Sequence, residues 1–217
     1  MNIEVERTNM ITQQLRTGDV LNEQILTLFN EISRHNFVPS HLQHFAYSDM
    51  QIELPHQQRM MTPLEEALLL QALNLSGTEI VLEVGTGTGF LTTLLSRLSK
   101  KVISVDYFQD LTANAAHHLS QHECNNVELF TGDACHGWFD RAPYDVMVLT
   151  GAIEAITETH KLQILPGGKL FAIVGKNPIM QGQLHHLSHD NIWSVDVVFE
   201  TCLPSLIDHS KRVDFVF

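Results

Sequence analysis

The ten residues Val81-Leu82-Glu83-Val84-Gly85-Thr86-Gly87-Thr88-Gly89-Phe90 constrain the fold of this chain more than any other stretch. Ile80, Val81, Leu82 and Val84 surround one acidic residue and read as a buried parallel strand. The strand breaks into three glycines spaced by one residue, and Phe90-Leu91-Thr92-Thr93-Leu94-Leu95-Ser96-Arg97-Leu98 follows with a helix-like apolar face. A strand, a glycine-rich turn and a helix in that order bring backbone N–H groups close to a ligand, because a Cβ would block the approach. Nicotinamide sites use a related turn, usually spaced G-x-G-x-x-G. Here the spacing is G-x-G-x-G, with Glu83 two residues before the first glycine. A carboxylate beside the turn suits a cationic ligand better than a pyrophosphate.

From residue 77 onward the pattern alternates strand and helix. Strands are expected at 102–106, 127–131, 144–150 and 169–175, with helices at 109–121 and near 152–163. Such alternation implies a parallel sheet with right-handed crossovers. Two extended segments at the end, 193–201 and 212–217, suggest an antiparallel pair at one edge. The fold class read from this pattern is α/β, a doubly wound, mostly parallel, Rossmann-like sheet with an antiparallel edge strand. Residues 4–16 and 22–33 carry apolar side chains at helical spacing, parted by Gly18-Asp19. Thr62-Pro63-Leu64-Glu65 predicts a helix start with a capping box. The chain therefore divides into a helical N-terminal extension with an acceptor-side loop, 1–76, and an α/β domain, 77–217, packed as one unit.

Ligands of open parallel sheets bind at the carboxyl ends of the strands. The first strand end carries Gly85, Thr86, Gly87, Thr88 and Gly89, the second Asp106, and the third Gly132-Asp133-Ala134. Asp106 could accept from both ribose hydroxyls of a nucleoside, and Asp133 from an exocyclic adenine amine.

A net charge of −12, with no basic cluster larger than Lys100-Lys101 or Lys211-Arg212, speaks against a nucleic-acid partner. No apolar run is long enough for a membrane span, and the polar N-terminus lacks a signal-peptide pattern. Cys124, Cys135 and Cys202 are scattered, which argues against a zinc site or a disulfide framework and makes the cytoplasm the expected compartment. His185 and His189 would form a metal-binding pair only on a helix, and no third ligand stands nearby, so no metal is expected.

The glycine turn with Glu83 resembles that of class I S-adenosylmethionine methyltransferases, whose ligand is cationic at sulfur. The chain more closely resembles the protein-L-isoaspartate O-methyltransferase family, from about residue 7 to about 175. The resemblance rests on Arg34-His35-Asn36-Phe37-Val38-Pro39, Ala46-Tyr47-Ser48-Asp49, the glycine motif with Asp106, Gly132-Asp133 with Gly137-Trp138, Tyr144-Asp145, Thr150-Gly151-Ala152, and Leu165-Pro166-Gly167-Gly168-Lys169-Leu170. The resemblance implies S-adenosylmethionine as cofactor, S-adenosylhomocysteine as product, and isoaspartyl residues of damaged proteins as acceptors. Glu83, Gly85–Gly89, Asp106, Asp133 and Ala134 would hold the cofactor.

The family's acceptor loop has the form G-x-G-Q-T-I-S-x-P. In this chain the matching stretch is Pro55-His56-Gln57-Gln58-Arg59-Met60-Met61-Thr62-Pro63, so Met61 occupies the serine position and both glycines are replaced. Arg59, able to pair with a carboxylate, and Thr62, with a hydroxyl one residue away, are the candidate acceptor-side residues. The alternatives are another carboxylate or small metabolite as acceptor, or a cofactor-binding protein without turnover.

Overall fold

The computed structural model describes residues 2–208. Helices α1 (Ile3–Met10) and α2 (Glu23–Glu31) open the chain, and α1 runs on into a π-helical turn at Ile11–Leu15. Asn2 caps α1 by accepting from the Val5 N–H, and Asn22 caps α2 by accepting from Gln24 and Ile25. These side chains satisfy donors that a first helical turn leaves unpaired. Short 3₁₀ turns and a small hairpin follow, β1 (Ile52–Glu53) against β2 (Arg59–Met60). Helix α3 (Pro63–Leu73) begins with the predicted capping box: Thr62 Oγ1 accepts from the Glu65 N–H at 3.2 Å, and the Glu65 carboxylate accepts from the Thr62 N–H at 2.7 Å.

The sheet comprises β3 (Ile80–Val84), β4 (Lys101–Asp106), β5 (Val127–Thr131), β6 (Tyr144–Ile153), β7 (Ile164–Lys176), β8 (Ile179–Leu187) and β9 (Trp193–Thr201). Their spatial order is β5-β4-β3-β6-β7-β8-β9, with β3 to β7 parallel and β8 and β9 antiparallel. Helices α4 (Phe90–Leu98) and α5 (Gln109–Gln121) make the crossovers from β3 to β4 and from β4 to β5. The doubly wound, mostly parallel architecture expected from the alternating pattern is borne out.

Strand periodicity divides the core. Val81, Val102, Val146 and Val148 face the side covered by α4 and the N-terminal helices, where Met10, Leu15, Phe29 and Phe37 join them. Leu82, Val84, Ile103, Val105, Met147 and Leu149 face the opposite side. Arg34 ties the N-terminal segment to this body. Buried to 1 % exposure, it donates to Glu66 (3.1 Å), to the Ala46 carbonyl (2.9 Å) and to the Met61 carbonyl (2.6 Å). A buried guanidinium is tolerated when its donors are matched in this way. Burial pushes the Glu66 carboxyl up to about 7 despite the opposing pull of Arg34.

Two expectations need correction. The segment 152–163 is not one helix: β6 continues to Ile153, pairing Ala152 with Ile173 and Ile153 with Val174, and only Glu158–Lys161 is helical (α6). Sheet pairing overrides the helical propensity as far as Ile153. The edge is a two-strand hairpin in which 193–201 pairs with Ile179–Leu187, a strand hidden in the sequence by its polar and glycine residues. The segment 212–217, assigned that pairing from sequence, lies outside the described residues. His185 belongs to β8 rather than a helix, so His185 and His189 do not share a helical face.

Candidate active site

The carboxyl ends of β3, β4 and β6, with the residues following β5, converge on a cleft lined by Val84, Gly85, Val105, Asp106, Gly132 and Thr150 among others. Its floor is the glycine turn. Gly85 has φ +99°, and a Cβ there would lie 2.2 Å from Thr150 Oγ1. That hydroxyl is held beside the carbonyls of Val84 and Gly85, at 3.0 and 2.9 Å. Gly87 has φ +55° and an open flank, with only Leu54 Cδ1 near a notional Cβ, at 3.6 Å. A side chain at Gly87 would therefore project into the ligand space.

Asp106 is 5 % exposed and lines the cleft. Its Oδ2 accepts from the Gly87 N–H at 2.8 Å and its Oδ1 from the Phe108 N–H at 2.9 Å. The carboxylate thus shapes the glycine turn and still has lone pairs for further donors. Burial raises its pKa, and the two backbone donors pull it back. Two aromatic residues that the sequence reading passed over, Tyr107 and Phe108, line the cleft next to it. Their signal was available in the chain: an aromatic pair directly after an acidic strand end.

Glu83 is placed differently from expectation. By strand parity it faces α4, beneath the turn, where it is fully buried and accepts from Thr92 Oγ1 and Ser104 Oγ, each at 2.6 Å. Burial pushes its carboxyl up to about 8, so it is mostly neutral at pH 7. Thr86 joins this buried group through Ser104 Oγ at 2.6 Å. Glu83 thus braces the turn from below and does not line the cleft. The Thr88 carbonyl contacts His118 Nδ1 at 2.8 Å, and Gly89, with φ +82°, caps α4. Ala134 lines the cleft, whereas Asp133 is exposed beside it, with Oδ1 accepting from the Cys135 N–H at 3.0 Å.

The 55–62 loop forms the opposite wall. His56 and Gln57 adopt φ +60° and +59°, a left-handed pair without glycine. The His56 ring stacks on Phe108 at 4.0 Å, and its Nε2 lies 2.9 and 3.0 Å from the Asp110 carboxylate oxygens. His56 in turn holds the Asp110 carboxyl below its usual range. Arg59 stands where the cleft meets a second groove lined by Glu53, Gln57, Glu154, Lys176 and Asn177. It pairs with Glu53 at 3.8 Å, well exposed, which is a weak constraint. Met61 is buried to 4 % and lines a narrow space beside the glycine turn. Thr62 is committed to its cap and does not line the cleft.

The fold and the glycine cradle define a class I S-adenosylmethionine-dependent methyltransferase. The family model described as Protein-L-isoaspartate(D-aspartate) O-methyltransferase matches residues 5–203, so the match runs through β8 and β9, past the limit of about 175 read from the motifs. A Protein-L-isoaspartate O-methyltransferase of Pelotomaculum thermopropionicum is 34% identical over 170 residues, covering 78% of this chain and 74% of that one. One from Syntrophus aciditrophicus is 36% identical over 170 residues, covering 78% of each. A solved protein-L-isoaspartate O-methyltransferase superposes with TM-score 0.78 at 23% identity, covering 92% of this chain and 65% of that one. A Plasmodium falciparum protein of the same description, in complex with S-adenosyl-L-homocysteine, gives TM-score 0.75 at 16% identity, covering 95% and 99%. The chain belongs to the protein-L-isoaspartate O-methyltransferase family, and its cofactor is S-adenosylmethionine. The residues present fit that group: a cradle that a Cβ would fill, a buried carboxylate with spare lone pairs, and two aromatic rings beside it.

Proposed function

We propose that the chain transfers methyl from S-adenosylmethionine to the free carboxylate of isoaspartyl residues in damaged proteins, with Arg59 as the acceptor contact. The observation that carries the reading is the place of Arg59, on the shared border of the cofactor cleft and the second groove. Gly85, Gly87, Asp106 and Ala134 line the cofactor cleft and would hold the cofactor there, with Asp106 accepting from ribose hydroxyls. Bound in this way, the cofactor supplies an electrophilic sulfonium methyl.

The chain's own task is positioning. An acceptor carboxylate is already ionised at neutral pH, so no general base is required. Arg59 orients it by charge-assisted hydrogen bonds, worth about 1.5–3 kcal/mol. Leu54 and the loop fastened through His56 restrict water at the mouth. The products are a methyl ester and S-adenosylhomocysteine. A net charge of −12 supports a protein rather than a nucleic-acid acceptor, and the unpatterned cysteines support a reducing cytoplasm. No helix among the described residues is long and apolar enough to cross a membrane.

Met61 and the bulky Gln57-Gln58-Arg59 in place of small loop residues favour a second reading, a different carboxylate acceptor on the same scaffold. Transfer of labelled methyl separates the two. Labelling of an isoaspartyl peptide and not of its aspartyl twin is the expected result. Tight cofactor binding with neither peptide labelled would move the assignment to the second reading.

A further inference from the structure

On the flank of the cofactor cleft, the fold assembles Cys135, His136 and Asp208, whose candidate ligand atoms all lie within 4.8 Å of one another. Sequence spacing gave no sign of this, because Asp208 arrives from the far end of the described chain. We propose that these three side chains bind a divalent cation of borderline softness, zinc(II) by ligand chemistry, on the flank of the cofactor cleft.

The donor set carries the choice of ion. A thiolate, an imidazole and a carboxylate are all zinc ligands, and two anionic ligands neutralise a dication in a half-buried place. Tetrahedral bonds of about 2.0–2.3 Å put ligand atoms roughly 3.5 Å apart. His136 Nε2 and Asp208 Oδ1 already stand at 3.5 Å. With every candidate ligand atom within 4.8 Å of the others, Cys135 has only a short distance left to close.

The backbone beneath these ligands is fixed. Asp133 Oδ1 accepts from the Cys135 N–H at 3.0 Å, and buried His160 lies with Nε2 2.8 Å from the Cys135 carbonyl. The Thr157 N–H donates to His160 Nδ1 at 3.1 Å, which leaves Nε2–H to donate to Cys135. Gln163, fully buried, donates to the His136 carbonyl at 2.8 Å. The approach of Asp208 is set by Ala152, which donates to the Pro204 carbonyl and accepts from the Leu206 N–H, each at 2.9 Å. Supports of this kind around the ligand-bearing backbone are what metal sites use to hold geometry. An open pocket lined by Cys135, His136, His160 and Asp208 gives an entry path and room for a water ligand. Cys135, Leu206 and Ile207 also line the cofactor cleft, so a bound cation would tie one of its walls together.

The test is titration of the chelator-treated full chain with cobalt(II), following thiolate-to-cobalt charge-transfer absorption and the visible bands of tetrahedral cobalt. One equivalent per chain is expected, displaced by zinc(II). Cys135→Ser should remove the charge-transfer band, His136→Ala and Asp208→Asn should each weaken binding at least about tenfold, and Cys202→Ser should leave the spectrum intact. Circular dichroism confirms folding, and the two more exposed positions decide the matter if Cys135→Ser is misfolded. No thiolate band at a several-fold excess of cobalt, a band that survives in folded Cys135→Ser, or wild-type titrations for both His136→Ala and Asp208→Asn would overturn the proposal.

Discussion

Two left-handed turns face each other across the cleft, and they are built on opposite rules. The turn at 85–89 uses glycine at each positive-φ position; a side chain at Gly85 would strike Thr150, and one at Gly87 would fill space that a ligand needs. The turn at 56–57 adopts the same backbone region with His and Gln, held by the stack on Phe108 and the pair with Asp110. Left-handed backbone costs an L side chain roughly 1–2 kcal/mol, which glycine avoids. Glycine in the first turn removes side chains to admit a cofactor. The second turn accepts strain and keeps its side chains, and the His56 side chain fastens the loop to Phe108 and Asp110.

Substitutions that exchange the two rules give the sharpest tests. Gly85→Val puts a branched side chain against Thr150 at φ +99°. S-adenosylmethionine affinity by calorimetry should fall by about a hundredfold or more, roughly 2.7 kcal/mol. An unchanged affinity would mean that the turn does not cradle the ligand. Asp106→Ala removes both the proposed ribose acceptor and the partner of the Gly87 N–H, and should weaken cofactor binding by about 1.5–3 kcal/mol.

Beneath the turn, Glu83 supplies a pH test. Its pKa rises from an ordinary 4.5 to about 8, so the folded chain holds a proton that the unfolded chain releases. Stability from this group is complete below about 4.5 and is lost as pH rises towards 8. Thermal melts of Glu83→Gln against wild type should therefore diverge over that window, with the variant gaining on the wild type as pH increases. Parallel curves would remove Glu83 from the balance. The smallest effect belongs to the loop: Gln57→Gly relieves its strain, worth about 1 kcal/mol, or a rise in Tm of about 2–4 °C for a chain of this size. A lower Tm would show that the Gln57 side chain contributes more than its backbone conformation costs.

Much of the fold was legible because burial writes periodicity into the chain. The strands at 80–84 and 127–131 and the helix at 109–121 lie where the apolar pattern puts them. β8 was not legible: Met180, Gly182 and Leu184 face inward, but the glycine contributes no apolar signal where Phe171 and Phe199 press against it. At the site, Gly85, Gly87 and Asp106 could be placed from the strand–turn–helix order alone. The side on which Glu83 points follows from strand parity, which the sequence contains, together with the position of α4, which it does not. The contact of His56 with Asp110 and the meeting of Cys135 with Asp208 are long-range products of topology, and no local pattern announces them.

Arg59, on the side-chain-bearing turn, is proposed to hold the acceptor independently of the glycine turn that holds the cofactor. The most direct test is methyl transfer to an isoaspartyl peptide by Arg59→Ala, read as kcat/KM beside the calorimetric Kd for S-adenosylmethionine. The account predicts a fall in kcat/KM of about 10- to 150-fold, from losing about 1.5–3 kcal/mol of charged hydrogen bonding, with the cofactor Kd unchanged. Undiminished isoaspartyl transfer by Arg59→Ala, or a loss matched by an equal loss of cofactor affinity, would contradict it.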